Sequence, residues 1–387
     1  MTKRKVCIVT GTRAEWGLLS GIAQHLKLRD DVVLQIIATN MHLDVRYGHT
    51  IDDIVAAGFN VDAQVPMLVD DDSHQSTAKA MAKCVNGMAE AFSQLMPDVI
   101  VILGDRYEML SVASVATVMR IPIIHLHGGE ISEGAIDDSI RHAITKLSAL
   151  HLVATEQYRN RVIQMGEQPE MVINTGAIGV YNVSHLNPMS LVELNESLNF
   201  EITQGTMLVT YHPATLDDGD VALRCDELLK ALDNFPNNKV IITYPNNDAL
   251  GRVIIDKIED YASKNQGRVM VKPSLGLLRY ISALHYVDVV VGNSSSGIIE
   301  VPSMGIPTVN IGIRQQGRMA SSSVINCADD CDSIIDAIKL ALSPEGKDCA
   351  KMATNPYCKE NTLQLIVDAI ATTPIENLKR KTFYDLK

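Results

Sequence analysis

The chain has 387 residues, too many for one compact core, and its length predicts two or three domains. With 34 basic and 46 acidic residues, the formal net charge of −12 argues against nucleic acid or an anionic membrane as the main partner, because both require a strong basic field. Hydrophobic residues make up 46% of the chain and can fill large cores, which excludes intrinsic disorder. We expect a soluble, globular α/β protein.

In the first half of the chain, short β-branched runs alternate with longer stretches of helical period, as in βα units. The run 99–103 is apolar throughout, which indicates a strand buried on both faces of a parallel sheet. The predicted strands are Val6–Thr10, Val33–Thr39, Val61–Met67, Asp98–Leu103, Ile121–Leu126, Leu150–Ala154 and Met171–Thr175. The predicted helices are Trp16–Leu28, His74–Met96, Tyr107–Met119, Asp137–Leu147 and Gln157–Met165.

The second half repeats this alternation after a polar, helix-like stretch over 181–204, where we place a domain boundary. Its predicted strands are Thr206–Tyr211, Lys239–Tyr244, Val269–Val271, Val287–Val291 and Thr308–Ile311. Its predicted helices are Asp218–Asn234, Asp248–Asn265, Leu275–Leu284, Gly297–Met304, Cys331–Leu342 and Glu360–Ala371. We expect Rossmann-like domains over 1–180 and 181–365, with parallel sheets facing a central cleft, and a helical tail over 366–387 that crosses back to the first domain.

Several polar segments follow predicted strands, where open α/β sheets bind ligands. The segment 11–15 (GTRAE) precedes a helix, and Arg13 could contact a phosphate there, although an ordinary βα turn is equally compatible. The dinucleotide fingerprint and the P-loop pattern are absent, which argues against nicotinamide enzymes and P-loop NTPases. Asp105 beside Arg106 suits a charged base or an orienting group, or alternatively a simple loop ion pair.

The segment 125–130 (HLHGGE) places two histidines on opposite faces of a strand end, so one of them faces the cleft. No third ligand lies nearby in the sequence, so we favour an acid/base role for His127 over a metal site. Asp137 and Arg141 share one face of a helix, although Asp137 alone indicates only a helix cap. His212 could face the cleft or serve as a structural histidine.

The segment 292–300 (GNSSSGIIE) is the strongest candidate for ligand binding. Small hydroxyl residues lead from a strand into a helix whose free N–H groups could hold a diphosphate, and Glu300 could bind ribose hydroxyls; a serine N-cap is the alternative. Residues 314–318 could close over the nucleotide. Three aspartates at 70–72 indicate a solvated acidic loop rather than a metal site. The apolar run at 6–9 is too short for a signal peptide, so we expect a cytoplasmic location.

Nine segments in this order resemble those of the hydrolysing UDP-N-acetylglucosamine 2-epimerases of the bacterial sialic-acid and legionaminic-acid pathways. Each is short, but their shared order over nearly the whole chain is specific. The resemblance implies the GT-B-like fold, with the nucleotide held mainly by the second domain. The segments are GTRAE (11–15), GDRYE (104–108), HLHGGE (125–130), DDSIRHAITKLSALH (137–151), YHP (211–213), PNND (245–248), GNSSSGIIEVPS (292–303), IRQQGR (313–318) and NPYCKEN (355–361).

The resemblance also implies a reaction. UDP leaves UDP-N-acetylglucosamine by anti elimination as the C2 proton is removed, and water adds to the resulting 2-acetamidoglucal to give N-acetylmannosamine. No metal ion, nicotinamide or other cofactor is expected. The same reaction on UDP-N,N′-diacetylbacillosamine is the alternative, and a GDP-linked sugar is a further one. A GT-B glycosyltransferase, a non-hydrolysing epimerase and a non-catalytic UDP-sugar sensor are the rival classes.

By position, the resemblance implies roles for individual residues. Arg141 would orient Asp137 or contact the substrate, and His127 stands where the family often carries Glu, in the pattern HxEGGE. The implied catalytic residues are Asp105, His127, Asp137, Arg141 and His212. The implied UDP-sugar contacts are Arg13, Ala14, Arg106, Glu130, His212, Asn246, Ser294, Ser295, Glu300 and Arg314. A homodimer is also implied.

Overall fold

Two parallel β-sheets, one in each half of the chain, organise the fold. The computed structural model describes residues 3–69, 71, 73–216, 219–248 and 250–386. Unit 1 comprises Met1–Glu130, Asp137–Tyr181 and Lys359–Lys387, and unit 2 comprises Ile131–Ile136 and Asn182–Cys358. Four residues of segments discussed above lie outside the described residues, namely Asp70, Asp72, Asp218 and Ala249.

Unit 1 is built on one sheet. Within the described residues its strands are β1 (Arg4–Thr10), β2 (Val32–Thr39), β3 (Ala63–Val65), β4 (Val99–Leu103), β5 (Ile123–Leu126), β6 (Leu150–Val153) and β7 (Val172–Asn174). All pair in parallel, in the order β3-β2-β1-β4-β5-β6-β7. The strand order reverses between β1 and β4, and the carboxyl ends of these two strands flank the switch point where open α/β sheets bind ligands.

Unit 2 repeats this topology. Within the described residues its strands are β8 (Met207–Thr210), β9 (Val240–Thr243), β10 (Val269–Lys272), β11 (Val289–Gly292), β12 (Thr308–Ile311) and β13 (Val324–Cys327). They pair in parallel in the order β10-β9-β8-β11-β12-β13, so the switch point lies between β8 and β11. Strand β13 is absent from the sequence prediction; it is a partly exposed strand that pairs with β12 alone and carries no long apolar run.

Helices alternate with the strands, which confirms the predicted α/β class. They are α1 (Arg13–Lys27), α2 (Ile51–Ala56), α3 (His74–Leu95), α4 (Tyr107–Val118), α5 (Asp137–Leu147), α6 (Glu156–Gln164), α7 (Ile178–His185), α8 (Leu191–Leu198), α9 (Val221–Asp233), α10 (Gly251–Lys264), α11 (Gly276–Leu284), α12 (Ser296–Ile299), α13 (Cys331–Leu342), α14 (Pro344–Met352), α15 (Thr362–Thr372) and α16 (Ile375–Lys379).

The structure differs from the predicted helices in a few places. Short helices α2, α14 and α16 escaped prediction because their apolar periodicity is brief. The predicted helix over 297–304 is split: α12 ends at Ile299 and a 3₁₀ turn covers Val301–Met304, where Pro302 lacks the N–H that a continuing α-helix needs.

Each sheet is buried on both faces. In β1, Val6 and Ile8 point to a core that α1 and α15 complete, whereas Cys7 and Val9 point to the opposite core beneath α3 and α4. The apolar face of α15 therefore places Lys359–Lys387 in unit 1, so residues 359–365 lie outside the second unit, unlike the predicted range 181–365. In the described ranges, no helix has the length and apolar character needed to cross a bilayer.

Candidate active site

The switch point of unit 1 brings together the loops that follow β1 and β4. Thr12 and Glu15 form a reciprocal capping box at the start of α1, in which Glu15 Oε2 accepts hydrogen bonds from the Gly11 and Thr12 amides at 2.7 and 3.2 Å. From the second loop, Arg106 Nε donates to Glu108 Oε1 at 2.8 Å. Arg106 thus pairs with Glu108, and Asp105 pairs with Arg141.

Glu15 and Glu108 are two buried carboxylates that influence each other. Burial, and then the charge of Glu108, raise the pKa of Glu15 to about 8. Within the described residues, Glu15 Oε1 and Glu108 Oε2 have no hydrogen-bond partner. Two predicted substrate contacts immediately precede Glu15: Arg13 pairs with Asp53 at 3.0 Å, and Ala14 is exposed on the first turn of α1.

Arg141 connects three segments of the candidate site. Its guanidinium, only 1% exposed, forms a short ion pair with Asp105 after β4 and a 3.2 Å pair with Asp138 at the start of α5. It also donates to the backbone carbonyl of Glu130 at 2.8 Å. A buried guanidinium needs several acceptors, so Arg141 fixes the loop after β4, the loop after β5 and the first turn of α5 to one another.

His125 is a structural residue. Its Nε2 donates to the Gly104 carbonyl at 2.6 Å, and its Nδ1 lies 3.4 Å from Thr145 Oγ1. Complete burial lowers the pKa of His125 to about 3, so the ring stays neutral over the physiological range. The side chain joins the carboxyl end of β4 to the last turn of α5.

His127 has the geometry of an acid/base group. Its backbone sits in the left-handed region at φ +65°, a strained conformation for a side-chain-bearing residue. Gly129 follows at φ +78°, where a Cβ would lie 2.6 Å from the Tyr158 carbonyl. Nδ1 of His127 lies 2.7 Å from Glu130 Oε1 and donates to it, so the lone pair falls on Nε2. That Nε2 is buried and has no hydrogen-bond partner among the described residues.

Two further carboxylates of the candidate site in unit 1 lie on the first turn of α5. Asp137 and Asp138 are both half-buried, and Asp138 pairs with Arg141 and, at 3.5 Å, with His142. Sequence reasoning chose Asp137 for its position and overlooked Asp138, although the i, i+3 spacing from Asp138 to Arg141 predicts a pair equally well. Glu130 is a predicted substrate contact, and its carboxylate accepts a hydrogen bond from His127.

The switch point of unit 2 is held by an asparagine. Asn293 Oδ1 accepts from the His212 amide at 2.7 Å, and Asn293 Nδ2 donates to the His212 carbonyl at 2.8 Å, which joins the ends of β8 and β11. Gly292 allows this approach, since at φ +133° its Cβ would lie 2.0 Å from the Thr210 carbonyl. The Asn246 amide donates to His212 Nδ1 at 3.2 Å, so a neutral His212 ring carries its proton on Nε2.

The serine segment follows directly. Ser294 Oγ accepts from the Ser296 amide at 3.4 Å, and Ser296 Oγ lies 2.5 Å from the phenol of Tyr280. Burial, and then the charge of Glu300, raise the pKa of that phenol, which indicates that Glu300 lies near Tyr280. Helix α12 has one turn only, so its dipole contributes little, and binding of a diphosphate here would depend on hydroxyl and amide donors.

The loop after β12 packs on the same asparagine. Arg314 donates to the Asn293 carbonyl at 3.1 Å, and Gln315 Nε2 donates to it at 2.9 Å. Gly134 packs against this loop, where a Cβ would lie 2.7 Å from the Ile313 carbonyl. Gln315 belongs to the stretch 314–318 that the sequence predicts to close over the nucleotide, whereas Asn293 was not predicted to have a role of its own, although its position at a strand end was an available signal.

The structure therefore collects the predicted residues into two groups. In unit 1, Arg141 links Asp105, the Glu130 backbone and the first turn of α5, next to the ring of His127. In unit 2, Asn293 links His212, Arg314 and the serine segment, and His212 links Asn246.

Comparison with known proteins identifies the fold and the family. The fold is GT-B-like: a crystal structure of a UDP-GlcNAc 2-epimerase from Neisseria meningitidis bound to UDP-GlcNAc aligns with a TM-score of 0.79 at 17% identity, covering 95% of this chain and 100% of that chain. A sequence model of the UDP-N-acetylglucosamine 2-epimerase family matches residues 24–371, and the chain belongs to this family.

Two curated relatives are similar to the chain over most of its length. One, from Campylobacter jejuni, is named GDP/UDP-N,N′-diacetylbacillosamine 2-epimerase (hydrolyzing) and is 39% identical over 88% of both chains. The other, from Escherichia coli, is named polysialic acid biosynthesis protein P7 and is 36% identical over 99% of this chain and 98% of that protein. The predicted enzyme class, a hydrolysing 2-epimerase acting on a nucleotide sugar, is confirmed.

Proposed function

We propose that this chain converts UDP-N-acetylglucosamine into N-acetylmannosamine and UDP. The observation that carries the proposal is the arrangement in unit 1, where a buried histidine with a fixed tautomer lies beside an Asp105–Arg141 ion pair. Elimination requires a base at C2, and hydration requires a group that returns a proton there. The His127 imidazole, whose Nε2 has no partner among the described residues, is suited to the first task, whereas the second is needed on the opposite face of C2 and falls to another group.

In the first half-reaction, His127 Nε2 takes the C2 proton while the C1–O bond breaks and its electron pair leaves with UDP. A C1=C2 double bond forms, giving 2-acetamidoglucal. The carboxylates of Asp105 and Asp137 would stabilise positive charge that develops at C1 and would then orient the attacking water. In the second half-reaction, the water hydroxyl bonds to C1 and a proton is delivered to C2 on the opposite face.

In this proposal Glu130 acts through His127. A carboxylate that accepts from Nδ1–H orients the ring and stabilises the imidazolium that forms when Nε2 takes a proton. A histidine supported in this way could take over the task of the glutamate that the family often carries at this position. Arg141 keeps the loops of Asp105 and Glu130 in place and is expected to hold the first turn of α5 with Asp137.

Unit 2 would bind the UDP moiety. Ser294, Ser295, Arg314 and the Nε2–H of His212 offer donors for the diphosphate, and Glu300 offers acceptors for the ribose hydroxyls. The framework that Asn293 builds around these groups supports the assignment, because donors that are fixed before binding cost less to order. Arg13, Ala14 and Arg106 remain predicted contacts of the substrate.

The second candidate is the same reaction on UDP-N,N′-diacetylbacillosamine or its GDP-linked form, and the name of the Campylobacter jejuni relative favours it. Parallel assays of UDP or GDP release with each nucleotide sugar separate the candidates. A kcat/KM for UDP-N-acetylglucosamine at least tenfold above the others would support the first; the reverse order would assign the second. No release from any of them would refute both.

Two further predictions accompany the proposed activity. The chain is expected to act as a homodimer, which light scattering of the purified protein can test. A cytoplasmic location is expected because nucleotide sugars are cytoplasmic metabolites and all seven cysteines are unpaired thiols.

A further inference from the structure

The segment after α16, residues 380–386, lies against the carboxyl end of α5, the helix that begins at Asp137 and carries Arg141. Lys381 Nζ donates to the backbone carbonyls of Lys146 and Ser148 at 2.6 Å each and lies 3.4 Å from that of Thr145. These carbonyls end α5, which closes at Leu147, and the last carbonyls of a helix have no partner within it. An ammonium group at this end also complements the helix dipole.

The same ammonium belongs to a buried charge cluster. Glu167, 3% exposed, accepts from Lys381 at 2.8 Å, from Lys146 at 2.6 Å and from His151 at 3.0 Å. Although burial opposes it, hydrogen bonds from these three donors lower the pKa of Glu167 to about 2, so its charge persists throughout the physiological range. Glu167 therefore holds Lys381 in a fixed position.

The rest of the segment is anchored independently. The amide of Tyr384 donates to the Gly166 carbonyl at 2.9 Å, and Gln168 Nε2 donates to Thr382 Oγ1 at 2.9 Å. The ring of Phe383 lies under the Lys146 ammonium, 4.9 Å from ring centroid to Nζ. These contacts join the segment to the turn after α6, so Lys381 is presented to α5 from a fixed support.

From the carboxyl end of α5 the contacts continue to the histidine loop. Thr145, in the last turn, lies 3.4 Å from His125 Nδ1, and its Oγ1 would lie 3.0 Å from a Cβ at position 128. At the other end of the helix, Asp138 and Arg141 join the loops after β4 and β5. A shift of α5 along its axis would therefore move the groups that surround both His127 and Asp105.

We infer that Lys381 is a positioning residue for the proposed reaction: it fixes the axial position of α5 and through it the acid/base groups of unit 1. The inference rests on the proposed function. Lys381 would touch no substrate, and its effect would reach the reacting atoms through Thr145, Asp138 and Arg141. The segment 380–386 is thus expected to be required for full turnover, although it lies more than 230 residues along the chain from the helix that it supports.

The test is Lys381→Met, which removes the charge and the donors but keeps an unbranched side chain. Glu167 retains Lys146 and His151, so the variant is expected to fold. The matched control is Lys379→Met, since Lys379 is exposed on α16 and its recorded ion pair, with Glu376 at 4.0 Å, is a surface pair. Two measurements are made on each: kcat and KM with the preferred nucleotide sugar, and backbone hydrogen exchange without substrate.

We expect kcat of Lys381→Met to fall about tenfold with KM within twofold of wild type, because small misplacement of reacting groups reduces turnover rather than affinity. Hydrogen exchange should accelerate over 137–147 and 127–130 but not over α1. Lys381→Arg, which keeps a cation at the helix end, should restore most of both properties. Lys379→Met should match wild type.

Wild-type kcat and wild-type exchange over α5 in Lys381→Met would overturn the inference. Uniformly faster hydrogen exchange across unit 1, together with a lower free energy of unfolding, would also overturn it. That result would mean that Lys381 stabilises the whole unit and has no particular role in positioning α5. If Lys381→Met does not fold, Lys381→Gln is measured in its place against the same criteria. Absence of turnover in the wild-type protein would refute the proposed function, whereas the exchange data test the positioning of α5 without substrate.

Discussion

The two switch points of this chain share one topology and differ in chemistry. In unit 1 the loops after β1, β4 and β5 carry titratable groups, most of them buried, that form charged or hydrogen-bonded pairs, such as Asp105 with Arg141 of α5 and His127 with Glu130. In unit 2 the loops after β8, β11 and β12 are joined mainly by neutral amide contacts centred on Asn293. The first arrangement suits proton transfer, and the second suits fixed donors for an anion.

This difference shows how two units with the same topology can perform different parts of one reaction. Buried charge pairs are costly to desolvate and occur where a reaction needs charges of defined position. Neutral amide contacts cost less free energy to bury. They hold hydroxyl and N–H donors in place without a change in the protonation of any group. Changes in unit 1 should therefore alter turnover, and changes in unit 2 should alter nucleotide affinity.

The largest effect is expected for Asp105→Asn. Asparagine keeps the size of the side chain but removes the charge beside Arg141, so kcat should fall about 1,000-fold, within the range for loss of an acid/base or charge-stabilising group. UDP affinity, measured by isothermal titration calorimetry, should remain within about twofold of wild type.

The matched control for this variant is Asp52→Asn, an exposed aspartate of unit 1 whose side chain is 77% exposed. It should have wild-type activity. Full turnover by Asp105→Asn would remove Asp105 from the catalytic group, and a large loss of UDP affinity would contradict the division between the units.

A smaller effect, on UDP affinity rather than on turnover, is expected for Glu300→Gln. Loss of a charged acceptor for the ribose hydroxyls should weaken UDP binding about tenfold, the effect of losing one charge-assisted hydrogen bond, while kcat changes by less than threefold. Calorimetry with UDP measures the first quantity and saturating turnover the second. Glu345→Gln, at an exposed position of α14, is the control; unchanged UDP affinity in Glu300→Gln would exclude the ribose contact.

The smallest expected effect is a pH-dependent change in the free energy of unfolding that arises from Glu15 in unit 1. Because the pKa of Glu15 is raised to about 8, the folded state binds more protons than the unfolded state between the ordinary carboxyl value and pH 8. This stabilisation is complete at low pH and is lost as the pH rises towards 8. The buried histidines with lowered pKa values act in the opposite direction near pH 6.5, where the unfolded ring is half protonated, and contribute almost nothing above about pH 7.5, where they are deprotonated in both states.

Denaturant titrations at pH 7.5 and 8.5 measure the contribution of Glu15 to the free energy of unfolding. Wild type should lose on the order of 1 kcal/mol of unfolding free energy across the interval. Glu108→Gln should lose less, because removal of the neighbouring charge lowers the pKa of Glu15. Equal losses in both proteins would show that the two carboxylates are not coupled.

Much of the fold follows from local patterns in the sequence. Apolar runs such as 99–103 and strand-terminal glycines identify the parallel strands, and helix α5 begins and ends where its periodicity predicts. The short edge strand β13 and the break at Pro302 were missed because each depends on its neighbours or on a single residue.

The sequence predicts many residues of the candidate site, but it does not predict which of them contact each other. The sequence points to Asp105, His127 and Arg141, but it does not show that Asp105 pairs with Arg141, 36 positions away. Asn293 and Lys381 act through contacts that span many residues, and no local spacing identifies such contacts. The functional residues were therefore easier to find than the residues that hold them.

The most direct test of the central claim is proton and phosphorus NMR of the reaction in D₂O, with UDP-N-acetylglucosamine and UDP-N,N′-diacetylbacillosamine supplied separately. Elimination followed by hydration predicts free UDP and a 2-epimeric free sugar that carries deuterium at C2, since the proton lost in the first step is replaced from solvent. Release of UDP with hydrogen retained at C2, or a product that remains bound to UDP, would contradict the account.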